Sequence, residues 1–442
     1  MPKPSSEEMT KRLLILSSKL GYQTRGFAEA ARKLGVEVFF GSDRCHQLED
    51  PWGDDAVPLH FERPEQAARI IIERARTMPV DAVLALGDRP TEAAARAARA
   101  LGLTYNSPAS VQACRSKLRQ REILRAAGLP VPEFFSFGPG EPLGTVLPRV
   151  KFPCVVKPLS LAASQGVIRV NDAREFASGV ARIRALLESP EIQATREPLL
   201  DRLLVERYIP GKEVALEGLL DRGGLRVLAI FDKPDPLEGP YFEETIYVTP
   251  SRLSAEVQAR IVECAGQTVR ALGLAHGPLH AEFRVNAEGP WVLEAAPRPI
   301  GGLCSRALRF GPSSDGEMIF LEELLVRHAL GLPGSDLQRE PRAAGVMMIP
   351  VPQGGILERV EGMEAATAVP GVEEIQITAR LHDFIAAWPE GSSYLGFIFA
   401  RGATPEEVEA ALRTSHEKLR FVLTPRLPVE HPARRRMPVV SD

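Results

Sequence analysis

The chain has 442 residues, of which 44% are hydrophobic and 25% are charged, and Lys+Arg 54 against Asp+Glu 57 gives a net charge of −3. This composition is typical of a globular protein with roughly two to four domains, and the balanced charge excludes a global attraction to nucleic acid or to a membrane surface. No apolar run reaches the length of a membrane span, and the polar segment 1–10 is unlike a signal peptide. The five cysteines form no C-x-x-C pair, which argues against a zinc site and a disulfide framework and predicts a cytoplasmic location.

The first quarter of the chain alternates between strand and helix patterns. The predicted strands are 12–18, 36–40 and 82–86, and the predicted helices are 24–34, 64–77 and 91–101. This alternation predicts a parallel sheet covered by helices. The first strand–helix turn, at 17–22, lacks the G-x-G-x-x-G sequence of a dinucleotide site. Residues up to about 107 are therefore interpreted as an α/β domain on the substrate side of the molecule.

Two lysines and a turn of small residues stand out in the next segment. Lys117 lies in a predicted helix at 110–127 among several arginines, a pattern that is also typical of a solvated cationic face. Lys157 ends a short apolar strand at 152–158, and the turn 159–167 that follows is rich in small and hydroxyl residues. Such a turn lets backbone N–H groups approach phosphate oxygens, but it is not a P-loop, because G-K-[ST] is absent.

Acidic residues follow a predicted helix at 172–196. Glu206 and Glu213 stand on either side of a Pro-Gly turn. The loop 232–245 is rich in proline and acidic residues. A loop this long in a compact domain often has a functional role. Further strands are predicted at 216–220 and 225–231, and further helices at 255–272 and 320–330.

The residues before and after Gly289 predict a hairpin of two strands. Alternation along the first strand places His280 and Glu282 on one face, and a register near Gly289 brings Glu282 close to Glu294. Two such carboxylates repel each other unless a cation lies between them, and hard oxygen ligands favour magnesium held together with phosphate oxygens. Arg298 follows on the exit segment and could face an oxyanion beside that metal. The alternative is a solvated polar face on an ordinary hairpin.

Short strands dominate the sequence after about residue 344 and predict a third, α+β unit. Its predicted strands are 345–351, 373–377 and 394–400, followed by a helix at 404–419. The predicted division of the chain is 1–107, 108–340 with a mobile lid at about 151–205, 341–428, and a loose tail at 429–442.

The polar motifs occur in one fixed order: Lys117, Lys157-Pro, Ser-Gln-Gly-Val, Glu206 to Glu213, and the hairpin with Arg298. This order resembles the ATP-grasp superfamily. Within it, the chain resembles the carboxylate–amine ligases typified by bacterial L-amino acid ligases, with carnosine synthase as a related type. The resemblance covers most of the chain. It implies an α/β and α+β protein with the ATP-grasp fold, an N-terminal parallel-sheet pre-ATP-grasp domain and a C-terminal α+β domain.

The same resemblance implies a set of nucleotide contacts. The ATP phosphates would be bound by Lys117, Lys157 and, on a less secure alignment, Lys233, and a loop containing Ser160, Ser164, Gln165 and Gly166 would close over them. Adenine would be contacted by Glu206, Tyr208 and Ile209, and the ribose hydroxyls by Glu213. The implied reaction is amide formation from a carboxylate and an amine, with amino acids as the expected substrates. It passes through an acyl phosphate and releases ADP and phosphate.

Metal and substrate contacts are implied as well. Glu282 and Glu294 would hold Mg²⁺, or Mn²⁺ in its place, and Arg298 would bind the acyl phosphate and the tetrahedral intermediate. His280 has three open roles: positioning of the amine, general base, or a structural hydrogen bond to Glu282 or Glu294. The expected substrate contacts are Glu243, Glu244, Gly301 and Gly302, with a solvated acidic loop as the alternative for the two glutamates.

Two other functions stay open at this point. A purine-pathway or biotin-carboxylase-like enzyme would need a phosphate-binding cluster in the N-terminal domain or a biotin carrier. The chain offers Lys19 alone for the first and no Met-Lys-Met segment for the second. A non-catalytic nucleotide-binding regulator is disfavoured because the lysines, both glutamates and Arg298 are present. The expected partners are small-molecule substrates, without nucleic acid or membrane, and a homodimer is allowed.

Overall fold

A computed structural model of the chain describes residues 10–18, 22–43 and 56–425. The predicted tail at 429–442 and Cys45 lie outside these residues. Within them, no helix combines the length and apolar character needed to cross a membrane. The four cysteines in the described part of the chain are all buried and free.

The N-terminal unit is a parallel sheet in the order β3-β2-β1-β4, as the alternation predicted. Its central strands are buried along almost their whole length because helices cover the sheet. The short strand β3 was not predicted. The elements are β1 (Arg12–Ser17), α1 (Tyr22–Lys33), β2 (Glu37–Ser42), β3 (Ala56–Pro58), α2 (Pro64–Thr77), β4 (Ala82–Leu86) and α3 (Thr91–Leu101).

The prediction of a single helix at 110–127 is wrong, because the helix is interrupted at Ser116. Two helices form there, α4 (Pro108–Arg115) and α5 (Lys117–Ala126). Ser116 is extended, and its hydroxyl accepts a hydrogen bond from the Arg119 backbone N–H at 3.3 Å, so it is the N-cap of α5. Lys117 thereby becomes the first residue of a helix, and its backbone N–H donates to Leu159 O at 3.4 Å.

The lid predicted near 151–205 contains most of an antiparallel sheet in the order β5-β8-β6-β7, with a hydrophobic core of its own. That core includes Phe137, Phe176 and Leu203. The helix predicted at 172–196 ends at Leu187 and is followed by a separate short helix. The elements are β5 (Phe134–Phe137), α6 (Leu143–Val146), β6 (Cys154–Pro158), β7 (Ile168–Val170), α7 (Ala173–Leu187), α8 (Pro190–Gln193) and β8 (Leu203–Arg207).

The largest sheet has eight antiparallel strands in the order β13-β12-β9-β10-β11-β16-β20-β18. Its elements before residue 341 are β9 (Lys212–Asp221), β10 (Gly224–Asp232), β11 (Ile246–Thr249), α9 (Ala255–Leu272), β12 (Gly277–Asn286) and β13 (Gly289–Ala296). A small pair, β14 (Arg309–Phe310) and β15 (Ile319–Phe320), leads into α10 (Leu321–Ala329).

The C-terminal segment contributes strands to this same sheet, because β11 pairs with β16 across the predicted boundary at 341. The boundary between the two units stays a prediction. The elements are β16 (Ala343–Ile349), β17 (Gly355–Glu361), α11 (Met363–Thr367), β18 (Val372–Ile377), β19 (Phe384–Ile385), β20 (Gly396–Gly402), α12 (Pro405–Lys418) and β21 (Arg420–Thr424). Strands β19, β17 and β21 form a separate small sheet.

The predicted hairpin is confirmed as β12 and β13. Glu282 lies directly opposite Glu294, and the turn closes between Asn286 and Gly289. Ala281 and Phe283 are buried in the core that also contains residues of α9. Because side chains alternate along a strand, His280 and Glu282 are directed to the opposite face of the sheet.

Candidate active site

A cavity of about 430 Å³ lies where the N-terminal unit, the lid and the large sheet meet. Most of the predicted site residues line it, although they come from distant parts of the sequence. These residues are Lys117, Lys157, Ser164, Glu206, Tyr208, Ile209, Glu213, Glu244, His280, Glu282, Glu294, Arg298, Gly301 and Gly302. Five predicted residues do not line it, namely Ser160, Gln165, Gly166, Lys233 and Glu243.

One end of the cavity is built on a buried carboxylate that two cations share. Glu206 contacts Lys157 Nζ at 2.6 Å through one oxygen and Arg121 Nε at 2.6 Å through the other. Burial opposes the charge on Glu206, but the two cations outweigh it and lower its pKa to about 2. Glu206 therefore orients Lys157, while the predicted adenine contacts of Glu206, Tyr208 and Ile209 stay predictions. Arg121 was missed in the sequence because it resembles a surface helix residue.

Lys117 joins the small-residue turn to the hairpin. Its ammonium donates to Leu161 O at 3.1 Å and lies 3.5 Å from Glu294 Oε1. The helix break at Ser116 places Lys117 at the N-terminus of α5, where the positive end of the helix dipole favours anions. This position fits a lysine that binds phosphate.

The phosphate loop, residues 160–167, faces the cavity with only part of its length. Ala163 and Ser164 both have φ near +54°, a left-handed conformation that is unfavourable for residues other than glycine. Gln165 Nε2 and the Gly166 N–H donate to backbone carbonyls of the C-terminal segment. The buried Ser160 hydroxyl has no protein partner among the described residues. Ser160, Gln165 and Gly166 therefore do not line the cavity, and their predicted phosphate contacts stay predictions.

The other end of the cavity holds three carboxylates around one ammonium. Oxygens of Glu213, Glu244 and Glu282 lie within 4.8 Å of one another. Lys233 Nζ is 2.9 Å from Glu213 and 3.1 Å from Glu282, and it also bonds Glu244. Burial raises the pKa of Glu244 to about 7, against the opposing effect of Lys233. Lys233 was predicted to bind phosphate, but here its ammonium lies behind the carboxylates and does not reach the cavity wall.

The residues on this side fit a divalent cation. Glu282 and Glu294 are register neighbours on the hairpin, both line the cavity, and both offer the hard oxygen donors that Mg²⁺ and Mn²⁺ prefer. Lys233 bonds one oxygen of Glu282, Oε1, and already compensates Glu213 and Glu244. A cation between Glu282 and Glu294 would leave this ammonium in place.

His280 connects two glutamates and is almost fully buried. Its Nδ1 lies 2.5 Å from Glu217 Oε1, and its Nε2 lies 3.3 Å from Glu282 Oε1. Burial lowers the pKa of His280, but these carboxylates outweigh it and raise the pKa to about 9. This geometry matches the structural hydrogen bond that is one of the three open roles of His280. The predicted bond to Glu282 is present, whereas the second partner is Glu217.

Arg298 is held by an acid from the N-terminal unit. Its Nε donates to Asp88 Oδ1 at 2.8 Å and its Nη1 to Pro299 O at 3.1 Å. Burial opposes the charge on Asp88, but Arg298 outweighs it and lowers the pKa of Asp88. Nη2 has no protein acceptor among the described residues, which leaves one N–H face for a ligand.

Two further residues of this site were missed in the sequence. Asp88 follows the carboxyl end of the parallel strand β4, a place where α/β proteins commonly bind ligands, so its position was a usable signal. Glu217 shares a face of β9 with Glu213, which lies four residues earlier. This spacing was a second signal that could have identified Glu217.

The side chains of the adjacent residues Glu243 and Glu244 lie in different surroundings. Glu244 lines the cavity, whereas Glu243 accepts a hydrogen bond from the Val351 N–H at 3.0 Å and does not reach the cavity. Gly302 lies on the wall with φ +63°, and a Cβ there would come within 3.0 Å of the Phe397 ring. A larger residue at this position would therefore be strained and would crowd the ring.

Comparisons with known proteins agree with this arrangement. The ATP-grasp domain profile matches residues 150–307, the ATP-grasp N-terminal domain matches 28–104, and L-amino acid ligase C-terminal domain 2 matches 347–424. The crystal structure of an L-amino acid ligase from Bacillus licheniformis superposes with a TM-score of 0.79 at 29% identity, over 95% of this chain and 100% of that chain.

Two curated relatives are also similar. Alanine–anticapsin ligase of Bacillus subtilis is 24% identical over 339 residues, which are 72% of this chain and 70% of that protein. Carnosine synthase 1 of Gallus gallus is 30% identical over 362 residues, and the match covers 76% of this chain but 38% of that longer protein. The chain thus carries ATP-grasp domains together with the C-terminal domain of L-amino acid ligases, and these relatives are ATP-dependent ligases.

Proposed function

We propose that the chain joins the carboxyl group of one amino acid to the amino group of another, using ATP and releasing ADP and phosphate. The observation that carries this proposal is the convergence of Lys117, Lys157 and Arg298 with the paired acids Glu282 and Glu294 on one cavity. The L-amino acid ligase C-terminal domain supports amino acids as the substrate class. A carboxylate and an amine do not condense in water, so the carboxylate must first gain a better leaving group.

ATP would lie along the cavity with its phosphates toward the two lysines. Lys157, fixed by Glu206, and Lys117, at the start of α5, bind phosphate oxygens. The backbone at Tyr208 and Ile209 meets adenine, and Glu213 accepts from the ribose hydroxyls. A divalent cation held by Glu282 and Glu294 would supply positive charge for the phosphates.

Arg298 is placed for the reacting carboxylate. Phosphoryl transfer from ATP to the substrate carboxylate forms an acyl phosphate and ADP. The acceptor's amino group, after losing its ammonium proton, then attacks the acyl carbon and expels phosphate. Negative charge spreads in both transition states, and Nη2 of Arg298 binds it while Asp88 holds the guanidinium in place. Glu244, on the same wall, is the proposed contact for the amino group of the acceptor. The lid excludes water that would hydrolyse the acyl phosphate.

A screen of amino acid pairs tests this proposal. Purified chain is incubated with Mg-ATP and each pair, ADP release is measured, and the amide product is identified by mass spectrometry. Hydroxylamine is added in place of the amine in a parallel series, where an acyl phosphate gives a hydroxamate. We expect an amide and a hydroxamate from at least one acid. Turnover on a ribonucleotide or bicarbonate without any amide would contradict the proposal.

The non-catalytic alternative makes a different prediction for the same assay. A regulator would bind Mg-ATP without turnover on any pair, so calorimetric binding measured beside ADP release separates the two functions. No observation at the cavity favours this alternative over ligation. The cytoplasmic location and the homodimer stay predictions.

A further inference from the structure

The C-terminal segment reaches across the molecule to the phosphate loop. The Trp388 indole N–H donates to Ala163 O at 3.0 Å. The Gly166 N–H donates to Pro389 O at 2.9 Å, and Gln165 Nε2 donates to Glu390 O at 2.7 Å. Three consecutive residues, 388–390, therefore bond three of the residues between 163 and 166.

The same segment is fixed to the lid a second time. Arg182, on α7, forms a two-pronged ion pair with the Glu390 carboxylate, with Nη2 at 2.8 Å from Oε2. Residues of α7 and of the lid strands share one hydrophobic core. Segment 388–390 thus contacts both α7 of the lid and the phosphate loop, which is part of the lid.

Trp388 is itself anchored from the cavity side. It is 6% exposed, and its ring packs on Tyr394 with centroids 5.0 Å apart. Tyr394 lines the cavity and also contacts the edge of Phe397, with centroids 6.3 Å apart. The indole therefore has a fixed position from which its N–H reaches the loop.

The loop needs such a contact because of its backbone. Ala163 and Ser164 are both left-handed, which alanine and serine adopt only when their surroundings select that conformation. The carbonyl oxygen that receives the indole N–H belongs to the first of these two residues. The hydrogen bond therefore favours the conformer that turns the Ser164 side of the loop toward the cavity.

We propose that Trp388 is a positioning residue that holds the phosphate loop in its nucleotide-binding conformation, with Tyr394 bracing the indole. Trp388 does not line the cavity, so it acts through Ala163 and not on the nucleotide itself. This inference rests on ATP binding at the cavity and not on the identity of the acid or amine.

The test compares Trp388→Phe with Trp291→Phe. The first change keeps a ring against Tyr394 and removes the N–H; the second removes a similar indole bond, from Trp291 Nε1 to Asn286 Oδ1 at 3.3 Å, near the hairpin turn. Binding of β,γ-methylene ATP and of AMP is measured by calorimetry with Mg²⁺. For Trp388→Phe we expect the Kd of the triphosphate analogue to rise about fivefold to tenfold, with AMP affinity unchanged. Trp291→Phe should match the unmodified chain for both ligands.

Unchanged analogue binding in Trp388→Phe would overturn the inference, and so would equal weakening of AMP, which indicates a general structural defect. If Trp388→Phe does not fold, Gln165→Ala removes the neighbouring bond to Glu390 O, and we expect about a threefold rise for the analogue alone. An unmodified chain that binds neither ligand would overturn the nucleotide site together with the inference. A failed amino acid screen with normal analogue binding would contradict only the proposed reaction.

Discussion

The two ends of the cavity are built from the same residue types in opposite proportions. At one end Lys157 and Arg121 share the carboxylate of Glu206. At the other end, one ammonium, that of Lys233, is shared by three glutamates. The first end therefore has an excess of positive charge and the second an excess of negative charge. A nucleotide with a divalent cation supplies what each end lacks, because its phosphates are anionic and the metal is cationic.

The largest effect is expected between the two ends, at Arg298. Arg298→Ala removes the charge directed at the reacting carboxylate, and we expect kcat for amide formation to fall about 10²–10³-fold. Steady-state ligation with the best amino acid pair measures it. Ligation close to that of the unmodified chain would contradict the role of Arg298, and nucleotide binding should change far less than kcat.

The ion pairs at the positive end should affect how the free energy of unfolding changes at acid pH. The pKa of Glu206 is lowered to about 2, so its stabilising effect is complete above its unfolded pKa near 4.5 and is lost as the pH falls toward 2. The lost stability amounts to at most roughly 3 kcal/mol. Denaturant unfolding between pH 6 and pH 3 should show a steeper decline for the unmodified chain than for Glu206→Gln. Parallel declines in the two proteins would show that Glu206 is not held ionised by its cations.

The negative end should respond to magnesium. Glu282→Gln removes one carboxylate from the pair with Glu294, and we expect the Mg²⁺ concentration needed for half-maximal ligation to rise about 10–100-fold. Glu243→Gln is the matched control, because Glu243 bonds Val351 N and lies off the cavity wall. A similar magnesium requirement in both variants would remove Glu282 from the metal site.

The smallest effect is expected at the cap that sets Lys117. Ser116→Ala removes the hydroxyl that accepts from Arg119 N, and a lost N-cap costs about 1 kcal/mol. We expect the unfolding free energy to fall by about this amount and the KM for ATP to rise a few-fold, since Lys117 follows directly. Ser107→Ala, which removes the corresponding cap of α4, should lower stability alone. Equal KM values for ATP in both variants would show that the α5 cap does not position Lys117.

Much of the site could be predicted because strand periodicity and motif order are local signals. The hairpin partners Glu282 and Glu294 and the lysine ending β6 followed from them. Asp88 could not be paired with Arg298 in this way, because 210 residues separate the two and the contact depends on how two units pack. The break at Ser116 interrupts a run of good helix formers, so local propensity favoured one helix. In the acidic loop, no periodicity indicates which of Glu243 and Glu244 turns inward.

The pairing of β11 with β16 has a consequence for dissecting this protein. If the chain were cut near residue 341, β11 would become an edge strand with unpaired N–H and C=O groups and apolar side chains that are now buried. Such an edge readily adds another strand from a second molecule and promotes aggregation. The C-terminal unit thus protects the edge of the large sheet and also supplies Trp388. Shortened versions of the chain are expected to need a replacement strand to remain monodisperse.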